Sequence, residues 1–144
     1  MSDMNFQEFS AIAALILKRA YSNFPVGSDI DFNSVAQSME LSDMSAKLQS
    51  GRVFSNVAAH TLNWLIDNDY VRAAGVLPKD RVSVTDKGLA AMRAKSNSGI
   101  SFSEEIDKAS TTANTNEGRQ KLAEVIGSFI GSAASSFTKG MLGA

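Results

Sequence analysis

The residue types that carry most enzyme chemistry are scarce in this chain of 144 residues, which holds one histidine, His60, and no cysteine. A nucleophile–base pair would have to centre on His60, and the sequence suggests no partner for it. Asp67 with Asp69 and the acidic cluster at 104–107 fall at a helix end and in a polar stretch, where solvated charges are common. One histidine without cysteine also leaves almost no nitrogen–sulfur ligand set for a metal. We predict no enzyme activity, no metal and no cofactor.

Side chains that can read DNA bases gather near the start of a predicted helix over 52–68. Arg pairs bidentately with guanine and Asn with adenine, and the first exposed residues of a helix in the major groove make such contacts. Ordinary solvent-facing residues of a scaffold helix are the alternative. The candidate base-reading residues are Arg52, Ser55, Asn56 and His60, with Asn63 as a further exposed position. The candidate phosphate contacts are Lys47, Arg72, Lys79, Arg81 and Lys87, with Gln49 and Ser50 ahead of the helix.

The elements that would position these residues follow from the hydrophobic spacing. Apolar residues at i, i+3 and i+4 predict an amphipathic helix over 6–24, ended by Pro25 and Gly27. After it we predict, in order, an extended piece, a brief helix, a polar turn, the helix just described, a two-stranded hairpin and a further helix. Their ranges are 28–32, 33–41, 42–51, 52–68, 70–84 and 86–95.

The stretch RVSVTDKGLAAM (81–92) changes from a strand pattern to a helix pattern with no loop between the two. Val82 and Val84 alternate with polar residues, and Thr85 is placed to cap the helix that starts at Asp86. A strand that ends over the core, at the point where the next helix starts, needs no loop. The sequence therefore predicts that Val84 faces the core and that Thr85 caps the helix one residue later.

The net charge of −1 is unevenly distributed along the chain. Residues 44–95 carry eight Lys and Arg against four Asp, a net charge of +4, whereas residues 1–43 carry −4. A mildly basic middle between acidic flanks is compatible with phosphate binding. The small total, with Asp67, Asp69 and Asp80 close to the predicted DNA face, favours a protein-interaction module instead.

The segments TLNWLIDNDYV and VSVTDKGLAAM, on either side of a basic hairpin, resemble the winged helix-turn-helix superfamily over roughly residues 6–95. The flanking helices are similar in layout to those of small MarR- and PadR-type regulators. Asp69 stands where relatives often have glycine, so the helix end there is expected to be strained or frayed. The positions that carry the resemblance are Leu62, Leu65, Tyr70, Val71, Val82, Val84, Thr85, Lys87, Gly88 and Leu89.

The resemblance implies a mainly helical protein with a small β-hairpin, in which helix 52–68 is the recognition helix and the hairpin is the wing. Its implied function is that of a transcriptional regulator that binds double-stranded DNA as a dimer. Lys79 and Arg81 would then track the DNA backbone. The alternative function is a winged-helix module for protein–protein interaction or assembly that does not bind DNA, since one fold serves many functions.

The rest of the chain divides into a polar linker over 96–112 and a C-terminal amphipathic helix over 113–144, after the winged-helix domain at 1–95. The similarity in layout to homodimeric MarR- and PadR-type regulators implies that this helix pairs two copies across a two-fold axis, and Gly127 and Gly131 beside its apolar stripe would let another backbone come close. Packing on the chain's own helix 6–24 is the second alternative, and a membrane surface is the third. The residues assigned to oligomerisation are Leu122, Ile126, Gly127, Phe129, Ile130, Gly131 and Phe137.

The sequence also bears on where the protein acts. The opening residues MSDMNFQEF lack the basic and apolar regions of a secretion signal. The C-terminal apolar run is shorter than the ~20 residues that span a bilayer, and it contains Glu124. We therefore predict a cytoplasmic protein without a transmembrane segment.

Overall fold

The computed structural model describes the backbone of residues 3–76 and 79–141 and the side chains of residues 4–73 and 81–131. Within these ranges the protein is mainly helical with a small antiparallel sheet, which confirms the predicted class in its coarse form. The elements in chain order are α1 (Asp3–Ser22), β1 (Ser28–Asp31), α2 (Phe32–Ser38), α3 (Phe54–Asp67), β2 (Val71–Val76), β3 (Lys79–Val84), α4 (Asp86–Arg93), α5 (Phe102–Ser110) and α6 (Asn116–Met141).

The sheet has the strand order β1-β3-β2, and both neighbouring pairs are antiparallel. The hairpin of β2 and β3 is as predicted, with Val71 opposite Val84. The third strand, β1, pairs with the other edge of β3, with Ser28 opposite Val82. The sequence predicts β1 only as an extended piece, because four residues with one large apolar side chain give too short an alternation to indicate its pairing.

Helix α1 is the centre of the core. Ile12, Ile16 and Leu17 are at most 1% exposed, and alanines fill most of the buried positions between them. These small side chains let neighbouring helices approach closely, and α1 packs against α3, α5 and α6. A helix that is apolar on most of its circumference must be covered on several sides, which is why the later helices fold back onto it.

The range 96–112, expected to be a polar linker, holds helix α5. Phe102, Ile106 and Ala109 lie on one face of that helix and are buried in the same core as α1. The hydroxyl of Ser101 accepts a hydrogen bond from the backbone N–H of Glu104 and so caps the helix start. Three apolar residues are enough to dock α5, because the i, i+4, i+7 spacing puts all of them on one side.

Helices α1 and α6 run antiparallel. Ahead of α6, the hydroxyl of Ser110 accepts a hydrogen bond from Lys18 Nζ at 3.2 Å, in the second half of α1. Further along α6, a Cβ added to Gly127 would lie 3.9 Å from Phe6 Cε2, at the start of α1. From Gly127, α6 continues through fourteen more residues to Met141, which is about 21 Å. It therefore extends past the first residue of α1.

The turn that leads into α5 depends on the charge of Glu105. Hydrogen bonds from the hydroxyls of Ser96 and Ser98 hold the pKa of this carboxyl below its ordinary value of 4.5. Such a group stabilises the fold above its unfolded-state pKa, and this contribution is lost as the pH falls through the lower folded-state pKa.

We expect that Glu105→Gln makes the free energy of unfolding less dependent on pH between about 5 and 3. The wild type should lose stability in that interval, because protonation of Glu105 weakens both serine contacts, and the amide cannot titrate. Urea unfolding at a series of pH values measures the difference. Glu124→Gln, which changes an exposed carboxylate on α6, is the control. Equal flattening in both variants would contradict the role of Glu105.

Candidate nucleic-acid interface

Helix α3 starts at Phe54, two residues later than the sequence predicts. Phe54 is wholly buried, and Val53 is the N-cap residue with no side-chain cap bond. Arg52 therefore lies on the loop ahead of α3 and not in its first turn. That loop is closed by a β-bridge between Lys47 and Val53, so we refer to residues 47–53 as the α3 entry loop.

The solvent-facing side of α3 carries a polar stripe, formed by Asn56, His60 and Asn63, all exposed. The spacing of four and three residues places them on one face of the helix. Their amide and imidazole groups can both donate and accept hydrogen bonds, and Ser55 beside them is half-buried. Asp67 is exposed at the C-terminal end of the same face. The stripe can therefore bind base edges at its first two turns, while its far end repels phosphates.

Arg52 is bonded to a buried carboxylate. Glu8 on α1 is 2% exposed, and its Oε1 accepts a hydrogen bond from Arg52 Nη2 at 3.0 Å. Glu8 also accepts bonds from the backbone N–H of Ser50 at 2.8 Å and from the Ser50 hydroxyl at 2.7 Å. Arg52 and Ser50, expected to contact DNA, are thus brought together by Glu8, and this cluster fixes the α3 entry loop to α1.

Sequence reasoning missed Glu8. It is a single acidic residue in an amphipathic helix, where a carboxylate usually faces water. Its partners lie 42 and 44 residues further along the chain, so no local spacing could connect them. The only available signal was the position of Glu8 itself, one residue ahead of Phe9 and close to the apolar face of α1.

Two of the expected phosphate contacts stay exposed at opposite ends of α3. Lys47 is exposed on the α3 entry loop, and Arg72 is exposed on β2, just after the helix. Cations at both ends of a recognition helix can bind the phosphates that border one groove. Lys47 and Arg72 therefore remain candidates for backbone contacts.

The other expected cations are placed differently. The Nε of Arg81 is 3.7 Å from Asp29 Oδ1, and both side chains are mostly exposed, so this pair is weak and displaceable. Lys87 donates a hydrogen bond to the backbone carbonyl of Asn68 at 2.9 Å, at the C-terminal end of α3. The side chain of Lys79 lies outside the described residues. The structure thus engages Lys87 in the fold and leaves Arg81 at the surface.

The hairpin returns to the core as the sequence predicts. Val82 and Val84 are buried, and the hydroxyl of Thr85 accepts a hydrogen bond from the backbone N–H of Gly88. The same hydroxyl donates to the carbonyl of Asp69. Asp69 has a φ of 64°, in the left-handed region that glycine adopts more readily than other residues. Thr85 therefore connects the end of α3 to the start of α4.

The apolar face of α6 is used inside the molecule. Leu122, Ile126 and Phe129 are at most 1% exposed, and α6 packs on α1, α4 and α5. The prediction that these three residues form an oligomer interface is wrong, because neighbouring helices of the same chain already cover them. Packing on α1, the second alternative, accounts for them.

The remaining residues assigned to oligomerisation lie on the outer side of α6 or beyond the described side chains. Gly127 and Gly131 are exposed, and a Cβ added to Gly131 would have nothing within 4 Å. Within the monomer, these glycines are therefore not needed for close packing. Ile130 is half-buried. The side chain of Phe137 lies outside the described residues.

Neither a membrane span nor a metal site is found in the described part of the chain. No helix there is long and apolar enough to cross a bilayer, and no three His, Asp or Glu side chains there are grouped to hold a metal ion. The chain matches no protein-family model, no curated protein and no solved structure.

Proposed function

We propose that this protein is a DNA-binding transcriptional regulator of the winged helix-turn-helix type. Helix α3 is its recognition helix, and the hairpin of β2 and β3 is its wing. The observation that carries the proposal is the exposed stripe of Asn56, His60 and Asn63 on α3. This helix is the third in the chain and comes directly before the hairpin of β2 and β3. A helix inserted in a major groove reads base edges with neutral hydrogen-bonding side chains of this kind.

The residues divide between two roles. Asn56, His60 and Asn63 contact base edges, because they share the open face of α3. Lys47 and Arg72 contact phosphates on either side of that helix. For duplex binding Arg52 is a positioning residue, since its bond to Glu8 fixes the α3 entry loop.

The dependence of duplex binding on salt tests this proposal. A protein that neutralises several phosphates loses affinity steeply as salt is raised, with a slope of about −0.9 per phosphate contact. We expect that Lys47→Ala and Arg72→Ala each reduce the slope by about one, measured by fluorescence anisotropy on a random-sequence duplex. Lys108→Ala, which removes an exposed lysine from α5, should leave the slope unchanged. The absence of binding by the wild type at about 50 mM salt would contradict the proposal.

A second candidate function is that of an assembly module, and the exposed apolar residues at the start of α1 favour it. Met4 and Phe6 are 38% and 40% exposed, and Phe6 lies next to the exposed Gly127 of α6. Residues 125–138 of α6 carry no charged side chain, and α6 extends past the first residue of α1. A second copy of this chain offers the same uncharged helix, so the partner we propose is a second copy related by a two-fold axis.

The molar mass in solution tests the assembly. We expect a dimer for the wild type and a shift to monomer for Gly131→Leu, because a Cβ at this position has open space in the monomer, whereas a leucine there blocks close approach of a second helix. Multi-angle light scattering measures this. Val26→Glu changes an exposed apolar residue beyond the C-terminal end of α1 and is the control. A wild type with the mass of one chain would contradict the dimer.

A further inference from the structure

A small groove opens between the start of α1 and the outer side of α3, with a volume of about 260 Å³. We call it the α1–α3 groove. Its lining combines the aromatic side chains of Phe9 and Trp64 with the polar side chains of Asn5, Asn56 and His60 and with the guanidinium-bearing side chain of Arg52. Among the described residues that line it, none is acidic. The groove is therefore apolar on its walls and rich in hydrogen-bond donors around them.

The two aromatic residues form a corner. The ring centroids of Phe9 and Trp64 are 5.2 Å apart, and their planes meet at 82°. Tyr70 stacks on Trp64 with centroids 5.9 Å apart and so holds the indole in place. Phe9 and Trp64 are both half-buried, so part of each ring faces the groove. A planar ring fits such a corner, because it can contact one aromatic ring with its face and the other with its edge.

Arg52 supplies a donor group whose position is fixed in advance. Its Nη2 donates to Glu8, and its Nε donates to the Ser50 hydroxyl at 3.2 Å. Its Nη1 has no partner among the described residues, and the side chain lines the groove. A guanidinium held in this way loses little freedom when it binds. Nη1 and the second N–H of Nη2 together match a ring edge that carries two neighbouring acceptors.

We propose that the α1–α3 groove binds a single guanine base. The ring lies against Phe9 and Trp64, and its O6 and N7 acceptors face Arg52, which is the pairing that arginine makes with guanine in DNA. Adenine places its N6 amino group, a donor, where guanine has the acceptor O6. The N–H groups of Arg52 would then face another donor, and no hydrogen bond could form there. The volume lies below the ~300–1,000 Å³ of sites for drug-sized molecules, which suits one ring system. Asn56 bonds the ring perimeter.

The base can come from a free nucleoside or from an unpaired position in a nucleic-acid strand. The proposal does not depend on duplex binding by α3, because a paired and stacked guanine cannot enter a groove of this size. Failure of the duplex experiment would therefore leave this proposal standing, and the reverse also holds.

Trp64 is the only tryptophan of the chain, so its fluorescence reports directly on the groove. We expect guanosine to change this fluorescence saturably, with adenosine and 7-deazaguanosine binding at least about fivefold more weakly, since each disrupts the two-acceptor edge. Asn56→Ala should weaken guanosine binding severalfold. Asn63→Ala is the matched control, because Asn63 is exposed on the same helix but does not line the groove.

A short thymidine strand with one central dG distinguishes the two sources of the base. Tighter binding of this strand than of guanosine assigns the groove to single-stranded nucleic acid, and equal binding assigns it to the free nucleoside. In both cases, replacing the central dG of the strand by dA should weaken binding of the strand. Three results would overturn the proposal. The first is no saturable change of fluorescence with either guanosine or the strand. The others are equal responses to guanosine and adenosine, and equal effects of Asn56→Ala and Asn63→Ala. Arg52→Lys, checked for folding by circular dichroism, should lose the preference for guanosine.

Discussion

Replacement of Gly88 by alanine should lower the free energy of unfolding by about 3 kcal/mol. A Cβ at this position would lie 2.1 Å from the backbone carbonyl oxygen of Tyr70 and 3.1 Å from its carbonyl carbon. Backbone atoms cannot rotate away as a flexible side chain can, so β2, α4 or both must shift. Gly88 also donates its N–H to Thr85, and the shift would break that cap. Urea unfolding followed by circular dichroism measures the loss.

Gly131→Ala is the matched control for Gly88→Ala. Both positions are helical glycines, but a Cβ at Gly131 would have nothing within 4 Å. Because alanine favours the helix over glycine by about 0.8–1.0 kcal/mol, Gly131→Ala should stabilise the monomer by up to that amount, so unfolding is compared at a concentration where the protein is monomeric. Opposite signs for the two variants are expected. A Gly88→Ala protein as stable as the wild type would show that the contact with Tyr70 relaxes without cost.

Removal of the buried carboxylate in Glu8→Ala should cost about 2–3 kcal/mol. The substitution leaves the Ser50 N–H and hydroxyl without their partner and leaves Arg52 without its counter-ion. Loss of one partner of a buried pair costs about 3–5 kcal/mol, but Arg52 has a side-chain exposure of 40%, so water recovers part of this. The α3 entry loop should also loosen, which hydrogen exchange at residues 47–53 would detect.

Two further variants test whether burial is the cause of the Glu8 effect. Glu8→Gln keeps an acceptor for Ser50 and should cost less than Glu8→Ala. Asp29→Ala breaks an exposed pair with Arg81 at 3.7 Å and should cost less than about 0.5 kcal/mol. If Glu8→Ala and Asp29→Ala had equal effects on unfolding, the cluster around Glu8 would not stabilise the α3 entry loop.

The hairpin and its cap were predictable because their signals are local. The alternation of Val82 and Val84 fixes which side of β3 is buried, and Thr85 stands three residues ahead of the N–H that it binds. Each of these features is decided within a few residues of chain.

The features that sequence reasoning missed are decided by distant partners. The apolar stripe of α6 is visible in the sequence, but whether α1 or a second copy covers Leu122 and Phe129 depends on how α5 turns the chain back. Helix α5 itself has only three buried apolar residues, and one of them is an alanine, so its composition is typical of a linker. Glu8 and Arg52 are 44 residues apart. In each case the deciding contact is tertiary, and no local pattern records it.

The first turns of α1 connect three surfaces of the molecule. Phe6 lies at the proposed dimer contact, Glu8 holds the α3 entry loop, and Phe9 lines the α1–α3 groove, all within four consecutive residues. A rigid helical turn cannot move one of these without moving the others. Pairing of two copies and occupancy of the groove would therefore be thermodynamically linked. By reciprocity, each would change the affinity of the other by the same factor.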